Sequence, residues 1–462
     1  MGSEWPESRL DEITTLIVDC PHSTPEWTDS GIVVLRSNNI KGGRLDLSSP
    51  SYTNEAGYAA RIKRAIPSEG DLVITREAPM GEVCQIPPGL RCCLGQRMVL
   101  LRTDPALVDS KYLLFALQSP YLQHQISWSE GTGTTVSNIR IPDLKAFLVP
   151  TPAINEQKQI ANILGSLDDK IELNRQMNTT LEAMAQALFK SWFVDFDPVI
   201  DNALAAGNEI PEELAARAER RAKAAQRQSP ERPHPLPAAI RQQFPDRFVF
   251  TDTMGWVPEG WSALSLSSAI QINPKVSLRK GHAAKYVDMK ALPTSGYGID
   301  EFVWKPYAGG AKFVNDDVLL ARITPCLENG KTGLVDFLED NEPGFGSTEF
   351  IVMRAKGAIS PAYVACLARD TNFRLHCVSS MVGSSGRQRV QNACFDSYFV
   401  CVPEDEEVLK LFDARCSPNF EKMTALKNEA VSLASLRDTL LPKLLSGQLR
   451  IPEAEQLLAE VI

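Results

Sequence analysis

The chain has 462 residues, 44% apolar and 23% charged, and a formal charge of −9. That is about three times the usual ~150-residue domain, so two or three domains with their own cores are expected. No run of 18 apolar residues and no basic-then-apolar start occurs, and the ten cysteines include no CxxC pair. A soluble cytoplasmic protein with reduced thiols is therefore expected, and its acidity argues against gripping nucleic acid over the whole surface.

In chain order, the first ~150 residues alternate strand-like runs, GIVVLR, GDLVIT and RMVLLR, with Gly, Pro, Asn and Asp. Short helical pieces such as DSKYLLFALQS interrupt them, and FLVP (Phe147 to Pro150) closes an α+β globule. A long helix is predicted from about Asn155, as N-cap with Glu156 behind it, to about Phe193. Unbroken, it would span about 58 Å at 1.5 Å per residue.

A 3.5-residue seam runs along this helix through Ile160, Leu164, Leu167, Ile171, Asn174, Asn178, Leu181, Ala185, Leu188 and Trp192. Eight of these ten positions are apolar, the pattern of a coiled coil. Asn174 and Asn178 interrupt it. An amide in a seam penalises every register that leaves its hydrogen bonds unmade, so these two read as register keys; the alternative turns them toward solvent or a partner protein.

From Asp195 to about Asp252 the charged, Ala-rich ERRAKAAQRQSPERPHPLP reads as a linker, with Arg217 to Arg227 on a solvated helical face or, alternatively, against phosphate. The first copy then repeats. At an offset of 252, Pro6-Glu7 falls on Pro258-Glu259, Val83 on Val335 and GQRMVLLR on STEFIVMR; Val149-Pro150 meets Val402-Pro403 at 253, and GDLVITR meets DDVLLAR at 246. A second seam follows through Phe412, Cys416, Met423, Leu426, Ala430, Leu433, Leu440 and Leu444, with a break expected at Ser417 to Asn419 and a question over helix continuity at Pro418 and Pro442.

The fold expected is α+β: two similar recognition globules and a pair of long antiparallel coiled-coil helices, related by a pseudo-two-fold. Such an object measures a distance, as two modules reading DNA half-sites roughly 34 to 36 Å apart would.

The run INEQKQIANILGSLDDKIELNRQMNTTLEAMAQALFKSWFVDFDPV (Ile154 to Val199) resembles the central conserved region of the specificity subunit of Type I restriction-modification systems. LRDTLLPKLLSGQLRI (Leu436 to Ile451) is similar to the distal conserved region of that family, and DCPHSTPEWTDSGI (Asp19 to Ile32) to a frequent opening of its target recognition domains. The resemblance covers essentially the whole chain. It implies a non-catalytic subunit without a cofactor, whose recognition domains each read one half of a split double-stranded DNA target across a gap set by the helices. It further implies docking of two adenine methyltransferase subunits and recruitment of restriction and translocase subunits, in defence against foreign DNA.

The boundaries that follow are recognition domain 1 at 1–152, central helix at 153–194, linker at 195–255, recognition domain 2 at 256–403, distal helix at 404–450 and tail at 451–462. Helix pairing is assigned to Ile160, Leu164, Leu167, Ile171, Asn174, Asn178, Leu181, Leu188, Leu426, Leu433 and Leu440.

Reading bases takes Arg, Lys, Asn, Gln, Ser and Thr on loops. In the first globule these are Arg36, Asn38, Asn39, Lys41, Arg76, Thr132, Thr134, Thr135, Asn138 and Arg140. In the second they are Lys290, Arg322, Thr324, Lys331, Ser384, Ser385, Arg387, Gln388, Arg389 and Gln391, with Arg387 or Arg389 the candidates for a bidentate guanine contact. For any single residue an ordinary polar loop is the alternative.

No catalytic or metal-binding residue is assigned. No Asp/Asn-Pro-Pro-aromatic tetrapeptide and no GxxxxGK[ST] loop occurs. Pro142-Asp143 with Glu156-Gln157-Lys158 matches a nuclease pattern formally, but Glu156 and Lys158 would point to different faces of a helix. Cys20 and His22 lack the further ligands of a zinc site. The competing functions are a single-chain nuclease or methyltransferase, and a tandem-repeat docking scaffold with no DNA role.

Overall fold

The computed structural model describes residues 4–128, 138–226, 236–384 and 386–459. The chain divides into two compact units, Met1–Leu173 with Glu429–Ile462, and Asn174–Asn428. Both are α+β. The central helix (Ile154–Phe189) and the distal helix (Glu407–Ser446) each contribute one part to either unit.

In the first unit, strands β1 (Thr14–Asp19), β2 (Ile32–Leu35), β3 (Ser51–Thr53), β4 (Leu72–Thr75), β5 (Val83–Gln85), β6 (Cys92–Leu94) and β7 (Met98–Thr103) build two sheets. One is antiparallel in the order β1-β7-β4-β5; the other has the order β3-β2-β6, with β2 and β6 parallel. β4 up to its last residue, Thr75, and the first half of β7 are apolar because both faces are buried. Helix α1 (Glu55–Arg61) lies on the second sheet, where Tyr58 packs with Ile32, Val34 and Cys93. Asn54 caps it by accepting from the Gly57 N–H at 2.7 Å. Helix α2 (Ser110–Gln118) is capped by Asp109, whose backbone N–H donates to the buried Gln157 side chain at 2.9 Å. Gln157 also donates to the Leu107 and Pro152 carbonyls, so one amide ties the globule to the root of the central helix.

In the second unit the plan recurs. Strands β8 (Gln271–Ile272), β9 (Ala283–Val287), β10 (Val303–Pro306), β11 (Ala311–Phe313), β12 (Val318–Ala321), β13 (Thr332–Leu334), β14 (Gly344–Gly346) and β15 (Phe350–Arg354) form sheets ordered β8-β15-β12-β13 and β10-β9-β14-β11. The first is antiparallel; the second again has a parallel pair at its middle, β9 with β14. The equivalence extends to side chains. Asp71 takes a two-pronged bond from Arg102 at 2.8 and 2.7 Å, and Asp317, completely buried, takes one from Arg354 at 2.6 and 2.7 Å. Each aspartate also accepts the backbone N–H three residues before it, from Ser68 and from Val314.

The helices pair antiparallel within each unit. In the first, Asp168 meets Arg437 at 2.6 Å and Lys170 meets Glu429 at 3.4 Å, while Ile160, Leu164, Leu167 and Ile171 share a core with Leu433, Leu440 and Leu444. In the second, Asn174 Nδ2 donates to the Leu426 carbonyl at 3.5 Å and Asn178 Nδ2 to the Met423 carbonyl at 3.3 Å. Leu181 and Leu188 pack at the edge of that core, whose centre is aromatic: Phe189, Trp192, Phe193, Tyr363 and Phe412. The seam amides thus face the opposing helix, not solvent.

Four expectations about elements need correction. The central helix begins at Ile154, so Asn155 lies inside it, and Glu156 reaches back to the Ala153 N–H at 3.3 Å. Its regular α part ends at Phe189, and one π turn, Lys190–Val194, carries Trp192 and Phe193 into the core. The distal helix has no break at Ser417 to Asn419 and runs through Pro418 and Pro442. A helical proline costs about 3 kcal/mol, a cost that burying Phe412, Cys416, Phe420 and Met423 on either side of Pro418 offsets. Finally, 195–255 is more than connection: α3 (Asp197–Ala206) and α4 (Glu212–Gln226) are joined by arginine–carboxylate pairs. Arg217 binds Asp195 and Asp197 at 2.8 and 2.6 Å, and Arg221 binds Asp197 and Asp201 at 3.2 and 2.5 Å, so these arginines are committed to helix packing.

All ten cysteines are free thiols. Among the described residues no helix is long and apolar enough to cross a membrane.

Candidate nucleic-acid interface

Each unit carries loops where its antiparallel sheet ends, and one arginine fixes their roots. After β4, Arg76 accepts the Ile139 N–H on its carbonyl at 3.2 Å, returns a bond from Nε to the Ile139 carbonyl at 2.9 Å and pairs with Asp19 at 2.6 Å. After β12, Arg322 accepts the Val390 N–H at 2.9 Å and donates from Nη2 to the Val390 carbonyl at 3.0 Å. These two arginines, expected to read DNA, instead hold main chain at Ile139 in the first unit and at Val390 in the second. Arg76 is only 11% exposed, which removes it from any base edge.

Other expected contacts are also taken up by the protein. Asn39 is buried, accepts from the Arg36 N–H and donates to the Asp46 carbonyl, both at 3.0 Å, so it shapes the turn between them. Thr324 is buried at a cis peptide to Pro325, matching the cis Ala78-Pro79 of the first unit, and its hydroxyl accepts from the Gln388 N–H at 3.1 Å. Gln388 is half-buried. Lys331 donates to the carbonyls of Met289 and Lys290 at 2.9 and 3.3 Å. Arg389 forks onto Glu349 at 2.6 to 3.0 Å, and this bond holds the Glu349 carboxyl below the usual carboxylate range. Of the two guanine-reading candidates, Arg389 is therefore spent on shaping the loop.

What stays exposed is a shorter set: Arg36, Asn38, Lys41 and Arg140 in the first unit, and Lys290, Ser384, Arg387 and Gln391 in the second. Arg36 lies against the Trp27 ring at 5.3 Å, and Arg140 pairs with Asp143 at 2.7 Å. Asn138 is half-buried. Thr132, Thr134, Thr135 and Ser385 lie outside the described residues.

The nuclease-like pattern does not converge. Asp143 is held by Arg140, Glu156 caps the central helix and Gln157 is buried in its own hydrogen bonds. Cys20 is buried against the Met98 N–H, and His22 faces solvent beside Asp19. Among the described residues no group of three or more metal-binding side chains gathers.

Sequence reasoning passed over the second unit's other sheet. Residues 275–290 hold Lys275, Arg279, Lys280, Lys285 and Lys290 against a single carboxylate, Asp288, in a chain that is acidic overall. That local reversal of charge was the available signal.

Residues 2–183 match the model of the Type I restriction modification DNA specificity domain. Among curated proteins, the chain is similar to the Type I restriction enzyme MjaIX specificity subunit of Methanocaldococcus jannaschii, 22% identical and covering 83% of this chain and 79% of that protein. It is also similar to the HindI specificity subunit of Haemophilus influenzae, 27% identical over 70% of this chain and 73% of that one. Among solved structures, the crystal structure of a Type I restriction-modification S subunit from M. genitalium shares the fold with a TM-score of 0.50 and 17% identity, over 96% of both chains. Residues 2–183 thus match a Type I restriction modification DNA specificity domain, and the chain through its second unit is similar to specificity subunits of Type I restriction-modification systems, whose fold it shares.

Proposed function

We propose that the chain is the non-catalytic DNA specificity subunit of a restriction-modification complex, each recognition domain reading one half of a bipartite target. The finer assignment is that 1–152 and 256–403 are the two readers, that the paired helices set the gap between half-targets, and that two methyltransferase subunits dock on the helices in the cytoplasm, with restriction subunits joining them. The observation that carries it is the duplicated loop clamp, Arg76 on Ile139 and Arg322 on Val390. It fixes main chain at corresponding places in two copies of one scaffold, which supports a reader of two half-sequences. The acidic net charge fits a subunit whose methyltransferase partners supply much of the phosphate neutralisation.

The test is genome-wide mapping of methyladenine in cells carrying this chain with its methyltransferase, before and after residues 1–150 are exchanged for another recognition domain. A split motif is expected, one half changing and the other staying. A change in both halves would sink the modular reading, and a continuous motif would sink the bipartite one.

A further inference from the structure

The two units differ on one face of the sheet that holds the parallel pair. In the first unit the outward residues Ile32 and Val34 of β2 and Cys93 of β6 lie under Tyr58 of α1. In the second, the corresponding strands place Ala284 and Tyr286 of β9 opposite Lys305 and Val303 of β10, with Phe345 of β14 between Tyr286 and Lys312 of β11. The opposite face of β9 carries Val287 into the core with Phe313, Leu319 and Val352, so the buried Ala284 and the half-buried Tyr286 lie on the other face. No counterpart of α1 follows β10. Pro306 ends the strand, and Gly309-Gly310 turns it into β11, where a Cβ on Gly310 would stand 2.0 Å from the Gly346 carbonyl oxygen.

This face, with side chains and no helix over it, is basic at its surface. Leu278, Ala284 and Phe345 make a small apolar floor, with Tyr286 and Tyr307 packed around it. The Lys305 ammonium lies 4.0 Å from the centre of the Tyr286 ring and that of Lys312 4.9 Å from the centre of the Tyr307 ring. Resting on aromatic rings leaves ammonium hydrogens for an anion from outside. Arg279 and Lys280, both exposed, turn over at the same edge, where the Gly281 N–H donates to the Tyr307 carbonyl at 2.8 Å. The acidic group beside Tyr286 is Asp288, which accepts from the Lys290 N–H at 3.1 Å as the cap of the following turn. That turn carries the exposed candidate Lys290 and is tied by Lys331 to the loop after β12, so the basic face adjoins a candidate reading residue.

We propose that this face binds the phosphodiester backbone of the DNA duplex, with Lys305, Lys312, Arg279 and Lys280 neutralising phosphates beside the bases that the second unit reads. It makes the second unit the one that supplies its own backbone grip, where the first presents a helix. The inference rests on the DNA-specificity reading. DNA is favoured over a protein partner because the cations are raised on an aromatic shelf and the face adjoins a candidate reading residue.

The experiment uses the complete chain assembled with its methyltransferase and a duplex carrying its methylated motif, measuring affinity against salt. Each phosphate contact contributes about 0.9 to the slope of log affinity against log salt. Lys305→Gln with Lys312→Gln should therefore lower that slope by about two, and Arg279→Gln with Lys280→Gln by a similar amount, with the methylated motif unchanged. An unchanged slope in both pairs would overturn the proposal. So would a changed motif, which would mean base reading, or loss of methyltransferase from the complex, which would mean a protein interface. Absence of any sequence preference in the unsubstituted complex is a separate result that overturns the specificity reading itself.

Discussion

The two recognition units share a skeleton and differ in what covers it. The first closes its second sheet with α1 and keeps an apolar layer under Tyr58; the second omits the helix and leaves lysines lying on tyrosines. The antiparallel sheets hold the same Asp–Arg fork and the same arginine clamp in both units. Duplication has therefore kept the parts that hold a loop in place and released the parts that meet the surroundings.

The largest expected effect tests the shared skeleton. Asp71→Asn and Asp317→Asn each take the charge from a buried carboxylate that a partly exposed arginine forks onto, at a cost of about 3 kcal/mol apiece. Urea unfolding followed by fluorescence should show similar losses, and a difference of more than ~2 kcal/mol would end the claim that the forks are equivalent. Next comes the contrast in cover. Tyr58→Ala, removing a ring sandwiched between β2 and Arg91, should cost about 2 kcal/mol, while Tyr286→Ala on the open face should cost about 1 kcal/mol or less. Equal losses would mean that the second face is as closed as the first.

The smallest effect depends on pH and is read in the second unit. Glu349 is held by Arg389 below its ordinary value, so its contribution to stability is present above the unfolded carboxylate pKa of about 4.3 and is lost as pH falls through the lower folded value. Wild type should accordingly exceed Glu349→Gln in thermal stability near neutral pH, with the gap shrinking under acid; a gap that widens there would contradict the assignment.

Much of this was legible in the sequence, for reasons that particular residues show. The seam positions Ile160, Leu164, Leu167 and Ile171 are nearly fully buried because a long apolar stripe has only another helix to bury against. Asn174 and Asn178 do face the partner helix, where their amides find carbonyls. Pro418 misled because local propensity was read without the aromatic packing on either side. Among the site residues, Arg76, Arg322, Asn39 and Arg389 illustrate one failure: a polar side chain on a loop is as often the loop's own brace as its reader. Composition cannot separate the two, since both uses call for the same donors. The shelf of Lys305 and Lys312 was missed for another reason, because its residues come from three strands and meet only after folding.

The clamp at Arg76 and Arg322 reaches beyond the residues it touches. Because each guanidinium grips a main-chain oxygen of the residue it holds, Ile139 or Val390, whatever is spelled between the fixed points can change without unsettling its foundation. A protein built this way can acquire a new target by rewriting a few letters at its tips, while the frame that must keep fitting its neighbours stays as it was.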